Sequence, residues 1–200
     1  MPRPSVEAER RAQILDSACR VIARTGVAAL RVADVAKGAG MSPGIIHYYF
    51  DNKRDLTRAA FEQNFRRSLE RRAVVFEADR EPGQKLRDLV EVYLPHGEET
   101  TDAWHVWTQL WATALHDTEL RDLSDRAYGE WRRSIASIIR DGQAAGQVAE
   151  GDPVDLANLL IGVLDGLAVQ VLVGSHVMSP SRVRGMCGTF LDRLLLGPAA

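Results

Sequence analysis

Residues 39–53 read AGMSPGIIHYYFDNK, and how they are read decides the fold. Ser42 is a good helix N-cap, and Pro43 suits the first helical position, where a missing N–H costs nothing. A short helix over 43–49 follows. Upstream, Val32, Val35 and Ala36 mark another short helix that ends at KGAG, residues 37–40. Two short helices joined by a turn containing glycine predict a helix-turn-helix, whose second helix enters the DNA major groove. On that helix Ile46 and Phe50 are four residues apart and face the core, with Ile45 at the margin. Gly44, His47 and Tyr48 then point outward, and Gly44 lets the backbone approach a duplex closely. Tyr and His donate to phosphate oxygens while their rings pack on sugars or thymine methyls. The competing reading is that these aromatics merely cover the junction with the next helix. Lys53, in the first turn of that helix, opposes its dipole, which is poor for helix stability. It is well placed for a phosphate, on which backbone N–H groups and the ammonium converge.

The rest of the chain agrees with a soluble, helical, two-part protein. Its 200 residues, 46% hydrophobic and 26% charged, suit a small domain fused to a larger one. The polar start MPRPSVEAERRAQ lacks a signal-type apolar core, so a cytoplasmic location is expected. The apolar run LANLLIGVLDGLAVQVLVG, residues 156–174, is broken by Asn158, Asp165 and Gln170 and reads as a buried helix rather than a membrane span. Cys19 and Cys187, far apart in helical patterns, read as buried free thiols. Charge is asymmetric. Residues 1–80 hold 15 Lys/Arg against 10 Asp/Glu, and residues 81–200 hold 10 against 17. The first part is suited to a polyanion and the second is not.

Apolar spacing predicts helices over residues 6–25, closed by Gly26, over 53 to about 79, capped by Asn52 and ended by Pro82, and through Asp88–Leu94. Further helices are expected over Asp102–Leu115, Glu119–Ala145, Pro153–Val173 and Ser181–Leu196. With no alternating strand pattern or Asn-Gly hairpin, the fold class is all-α.

Residues 11–56, RAQILDSACRVIARTGVAALRVADVAKGAGMSPGIIHYYFDNKRDL, resemble the DNA-binding domain of the TetR family of bacterial transcriptional regulators. The segment ADVAKGAGMSPGIIHYYFDNKRDL follows the family pattern nearly position by position. The resemblance implies a homodimer on a palindromic double-stranded operator. It also implies a helix-turn-helix DNA-binding domain over residues 1–53 and a ligand-binding and dimerisation domain over 54–200. By position, Ser42, Pro43, Gly44, Ile45, His47, Tyr48, Tyr49 and Lys53 fall where the family contacts DNA. Arg31 stands where a Thr commonly caps the second helix, so a cap is lost and a phosphate contact becomes available. Ile45 replaces a frequent Thr and offers an apolar group to a thymine methyl. Residues 105–148 followed by 152–173 are similar to the C-terminal domain of BetI-like members, whose namesake responds to choline.

Trp104, Trp107 and Trp111 share one helix face. With Tyr93, Tyr128 and Trp131 they are expected to line a cavity for a small organic guest, apolar or cationic, although such a stripe is more often core. Val183, Met186, Cys187, Phe190, Leu191, Leu194 and Leu195 form an apolar stripe. With Leu160, Val163 and Leu167 on the preceding helix it predicts a four-helix dimer interface, which Gly162 and Gly166 help to close. No cofactor or metal is expected, and no membrane partner. An enzyme is disfavoured. Phosphate loops, a nucleophile elbow and paired metal-ligand motifs are absent, and His96, Glu98, Glu99, Asp102 and His105 match no zinc spacing on a loop suggested by Pro95 and Gly97. A DNA-binding regulator controlled by a protein partner is the other alternative.

Overall fold

The computed structural model describes residues 6–195, with side chains through 193. Every regular element is a helix: α1 (Val6–Ala29), α2 (Val32–Ala39), α3 (Pro43–Tyr49), α4 (Lys53–Phe76), α5 (Pro82–Tyr93), α6 (Gly97–Ala114), α7 (Thr118–Ala144), α8 (Pro153–Leu172) and α9 (Pro180–Phe190), followed by a π-helical turn, Leu191–Leu195. No β-strand occurs among the described residues. Two compact units divide the chain. One takes the described residues up to Ser68 with Thr101–Ser124, and the other takes Leu69–Thr100 and the described residues from Asp125 onward.

In the first unit Ile14, Leu15, Ala18 and Ile22 of α1 meet Val35, Ala36, Ile46, Phe50, Leu56 and Phe61, with Val106 and Leu110 of α6 in the same core. Each large apolar side chain buried this way contributes about 1.5–3 kcal/mol. Ser17 Oγ donates to the Val35 carbonyl at 2.8 Å, and a side chain at Gly38 would collide with that hydroxyl, so α1 and α2 touch at a glycine. The helix-turn-helix turn closes as expected. Gly40 is left-handed at φ 68°, its N–H bonds to the Lys37 carbonyl, and the Met41 N–H bonds to Ala36 at 2.9 Å. Asn52 caps α4 by accepting the Asp55 N–H at 2.9 Å. Cys19 Sγ donates to the Ala60 carbonyl at 3.3 Å, and burial pushes its pKa up to about 12.

In the second unit Leu86, Leu89, Ile135, Ile139, Leu160, Leu164, Ala168, Val183 and Leu191 are buried. Asp152 caps α8 through the Val154 and Asp155 N–H groups, and Ser179 caps α9 through Arg182. Gln147 ties the start of α5, accepting the Gly83 N–H at 3.1 Å and donating to Glu81 at 2.6 Å.

Several boundaries differ from the sequence expectation. α1 kinks at Gly26 (φ 77°, ψ 164°) and resumes to Ala29. Pro82 opens α5 at its first turn and does not simply end α4, which stops at Phe76. The stretch expected as a loop around Pro95 and Gly97 starts α6. Glu98 and Glu99 fall in its first turn, where acids favour the helix dipole, and Thr100 Oγ1 accepts the His96 N–H at 2.8 Å. Asp117 caps the start of α7 by accepting the Leu120 N–H at 3.2 Å. The last helix loses its α-helical register after Phe190.

Candidate functional site

The DNA-facing candidates lie together on the first unit. Ile46 and Phe50 are buried, as their spacing required, while Ser42, Pro43, Gly44 and His47 are exposed and Tyr48 is 78% exposed. Ile45 and Tyr49 are half-buried, and Tyr49 meets Tyr48 edge to face at 5.1 Å. A helix of seven residues with one buried isoleucine thus holds its outer face open. Ser42 occupies the N-cap position but makes no side-chain capping bond, so its expected capping role is not realised. Arg31 is exposed and likewise provides no side-chain cap to α2. Lys53 Nζ donates to the Ala28 carbonyl at 2.9 Å, which steadies the link after α1 and uses one of its three donors.

The six aromatics expected to line one cavity are divided between the units. Trp104, Trp107 and Trp111 belong to the first, where Trp104 is buried and stands edge-on to Trp111 at 5.9 Å. Trp107 meets Phe65 edge-on at 6.2 Å, and its Nε1 donates to Ser68 Oγ at 3.5 Å. A helix face of large rings has packed as part of the first unit.

Tyr93, Tyr128 and Trp131 come together in the second unit around two charged residues the sequence reading did not select. Tyr93 stacks on Trp131 at 5.1 Å with planes 16° apart, and Phe76 approaches Trp131 edge-on at 6.1 Å. Asp165 of α8 accepts hydrogen bonds from Tyr93 Oη at 2.5 Å and Tyr128 Oη at 2.6 Å. The buried Arg72 guanidinium lies 3.9 Å over the Trp131 ring and 5.7 Å from the Tyr93 ring. Burial lowers the Arg72 pKa to about 10, so it remains a cation at neutral pH. Burial raises the Asp165 pKa, against the two phenol hydrogen bonds and Arg72, which lower it. Burial and the Asp165 charge push both tyrosines up, so their phenols stay protonated and donate. Trp131 Nε1 is buried without a hydrogen-bond partner. The assembly is a packed aromatic cluster with a carboxylate at its edge, and its rings already hold one cation, the Arg72 guanidinium. The one available sequence signal was Asp165, an acid inside an apolar helix; Arg72 is hidden in an arginine-rich stretch of α4.

The expected interface residues also divide. Leu160 and Val183 are buried in the chain's own core, because the α8 face carrying Leu160 and Leu164 and the α9 face carrying Val183 and Cys187 supply the interior of the second unit. These two are therefore corrected from interface to core. Val163, Leu167 and Phe190 are half-buried, and Leu159 and Met186 are 61% and 40% exposed. The Leu194 side chain lies outside the described residues. A Cβ at Gly162 or Gly166 would meet nothing within 4 Å. α8 is long and apolar enough by composition to cross a membrane, with 28% of its most apolar window buried in the chain. No group of three or more His, Cys, Asp or Glu among the described residues is placed to hold a metal.

A helix-turn-helix with an open outer face, on an otherwise all-helical chain, defines a DNA-binding transcriptional regulator. Residues 14–60 match the family described as bacterial regulatory proteins, tetR family, and residues 82–196 match the BetI-type transcriptional repressor C-terminal family. The chain belongs to the TetR family, with a BetI-type C-terminal region, and is a transcriptional regulator rather than an enzyme. It is 31% identical to the HTH-type transcriptional regulator BetI of Paraburkholderia xenovorans over 98% of both chains. It is 34% identical to the BetI of Stenotrophomonas maltophilia over 62% of this chain and 63% of that protein. A solved regulator from Saccharomonospora viridis, in complex with choline, superposes with a TM-score of 0.89 at 33% identity, over 94% of this chain and 98% of that one.

Proposed function

We propose that the protein is a cytoplasmic, homodimeric repressor that leaves a palindromic operator when a small quaternary ammonium compound binds at the cluster of Tyr93, Tyr128, Trp131 and Asp165. The observation that carries the ligand is this cluster: an indole face stabilises a cation by about 0.5–2 kcal/mol, and a buried carboxylate adds charge complementarity. The choline held by the Saccharomonospora viridis regulator supports the same class. Residues 1–53 would read the operator, with Gly44, Ile45, His47 and Tyr48 at base edges and sugars. Arg31, Ser42, Pro43, Tyr49 and Lys53 would serve the phosphate backbone. Residues 54–200 would sense ligand and dimerise through the outer faces of α8 and α9, where Leu159, Val163, Leu167, Met186 and Phe190 form an apolar surface on a second copy.

Coupling requires that the ligand prefer the conformation that does not bind DNA. α4 carries Lys53 at one end and Arg72 near the other, so rearrangement at the cluster acts on the helix that starts at the DNA-facing lysine. The test is genomic fragment selection followed by titration of choline into the protein–operator complex. An inverted repeat released by choline supports the reading. Selection without an inverted repeat, or a complex that a bound ammonium compound leaves intact, overturns it.

A further inference from the structure

The outer face of α3 is held in place from α1. With seven residues, α3 buries one side chain of its own, Ile46, and so fixes itself only weakly. Its position follows α2, to which the turn at Gly40 ties it: the Met41 N–H returns to the Ala36 carbonyl at 2.9 Å and the Gly40 N–H to Lys37 at 3.2 Å. The last turns of α2 are gripped in their turn by Ser17 and Arg20, three residues apart on one face of α1. Ser17 is 1% exposed and donates to the Val35 carbonyl at 2.8 Å. Arg20 donates to the Gly38 carbonyl at 3.3 Å, at the negative end of the α2 dipole, where a guanidinium is favoured. A Cβ at Gly38 would collide with the Ser17 hydroxyl, yet it would stand 3.6 Å from Ser17 Cβ, an ordinary contact. The space between α1 and α2 at this point is therefore filled by one oxygen atom.

Resting on the operator reading above, we infer that Ser17 and Gly38 are positioning residues for sequence recognition. Their contact sets the distance of α2 from α1 and, through the Gly40 turn, the placement of α3 on base edges. Base-edge hydrogen bonds weaken steeply with distance and angle, so a displaced α3 loses them. Phosphate contacts from long side chains such as Arg31 and Lys53 follow a small backbone shift and carry no sequence information. Disturbing the Ser17–Gly38 contact thus removes discrimination and leaves non-specific affinity. Unfolding would instead lower both by the same factor.

Fluorescence anisotropy of the full-length protein tests this on the selected inverted repeat and on a random duplex of equal length. Gly38→Ala is expected to bind the inverted repeat at least about tenfold more weakly, while random-duplex affinity stays within about twofold and keeps its salt slope. Ser17→Ala opens the gap and is expected to lose about fivefold on the inverted repeat alone. In the Ser17→Ala/Gly38→Ala protein the new methyl takes the space of the missing hydroxyl, and operator affinity is expected to return to within about twofold of the wild type. Circular dichroism confirms that each variant is folded. A folded Gly38→Ala protein with the wild-type preference, a double variant whose losses add, or losses equal on both duplexes each overturn the inference and leave the operator reading standing. Should Gly38→Ala fail to fold, Ser17→Ala decides, and an unchanged preference there overturns the inference. A wild-type protein that does not distinguish the inverted repeat from the random duplex overturns both.

Discussion

Gln109 of α6 accepts the backbone N–H of Val27 at 3.1 Å, and the same side-chain oxygen would lie 3.1 Å from a Cβ at Gly26, the residue where α1 kinks. One glutamine therefore holds the exit of α1 within the first unit. Replacing it by alanine leaves a half-buried N–H without its acceptor, a cost of about 1–3 kcal/mol. Gln109→Ala is expected to lower Tm, while Gln109→Glu, which keeps the acceptor, is expected to lose less. Gly26→Ala should cost at least about 1 kcal/mol, since φ of 77° strains any residue with a Cβ and the methyl group crowds Gln109. Thermal melts of the three variants check this, and an unchanged Gly26→Ala melt would contradict the strain.

At the DNA face, Lys53→Ala is expected to weaken binding to all sequences alike and to flatten the salt dependence by about one phosphate contact. Tyr48→Ala is expected to behave differently. The side chain is 78% exposed, so stability should move by less than about 0.5 kcal/mol while operator affinity falls by about 1–3 kcal/mol. Fluorescence anisotropy on operator and random duplexes at several salt concentrations separates the two. A loss at Lys53 confined to the operator would contradict the phosphate role.

Asp165 gives a pH signature. Burial raises its pKa above the ordinary 3.8, so the carboxylate is protonated at a higher pH than an exposed one. An ammonium ligand needs the ionised form, so its affinity is expected to fall as pH drops toward that raised value. The folding contribution of the same group has the opposite sign. A pKa raised in the folded state adds stability at low pH, and this is lost as pH rises through the folded value. Tyr93, Tyr128 and Arg72 face the carboxylate and are not expected to titrate in that range. Ligand affinity of Asp165→Asn should be weaker at neutral pH and flat across the acid range. An Asp165→Asn titration that kept the wild-type pH slope would assign the slope to another group.

Dimerisation is tested by contrasting neighbours on α8. Leu159 is 61% exposed and Leu160 fully buried, so Leu159→Asp is expected to give a folded monomer and Leu160→Asp an unfolded chain. Met186→Asp should act as Leu159→Asp does. Light scattering with circular dichroism reads mass and fold together, and a folded Leu159→Asp dimer would place the interface elsewhere.

How much of this was legible in the sequence depended on whether the deciding interaction was local. The span of α3, the turn at Gly40 and the cap at Asn52 were readable because capping and glycine conformations act over a few residues. The start of α6 was missed because Glu98 and Glu99 outweighed the breaking tendency of Pro95 and Gly97. Outward-facing His47 and Tyr48 followed from the periodicity of one helix. The aromatic cluster did not, since Arg72, Tyr93, Tyr128 and Asp165 meet from four helices, and only tertiary contact distinguishes them from ordinary surface or core residues. For the same reason Leu160 and Val183 read as interface, because an apolar stripe does not say which of its edges faces the chain's own core.

The hydrogen bond from Cys19 to the Ala60 carbonyl has a practical side. Burial pushes that thiol up to about 12 and the Cys187 thiol up to about 11, so both stay protonated at neutral pH. Thiolates are the species that oxidants and alkylating reagents attack. Both native cysteines are therefore expected to react slowly with such reagents and can stay in place during labelling. A cysteine engineered onto the exposed end of α3 would take a maleimide dye selectively and report operator engagement by fluorescence, without first stripping the protein of its own thiols.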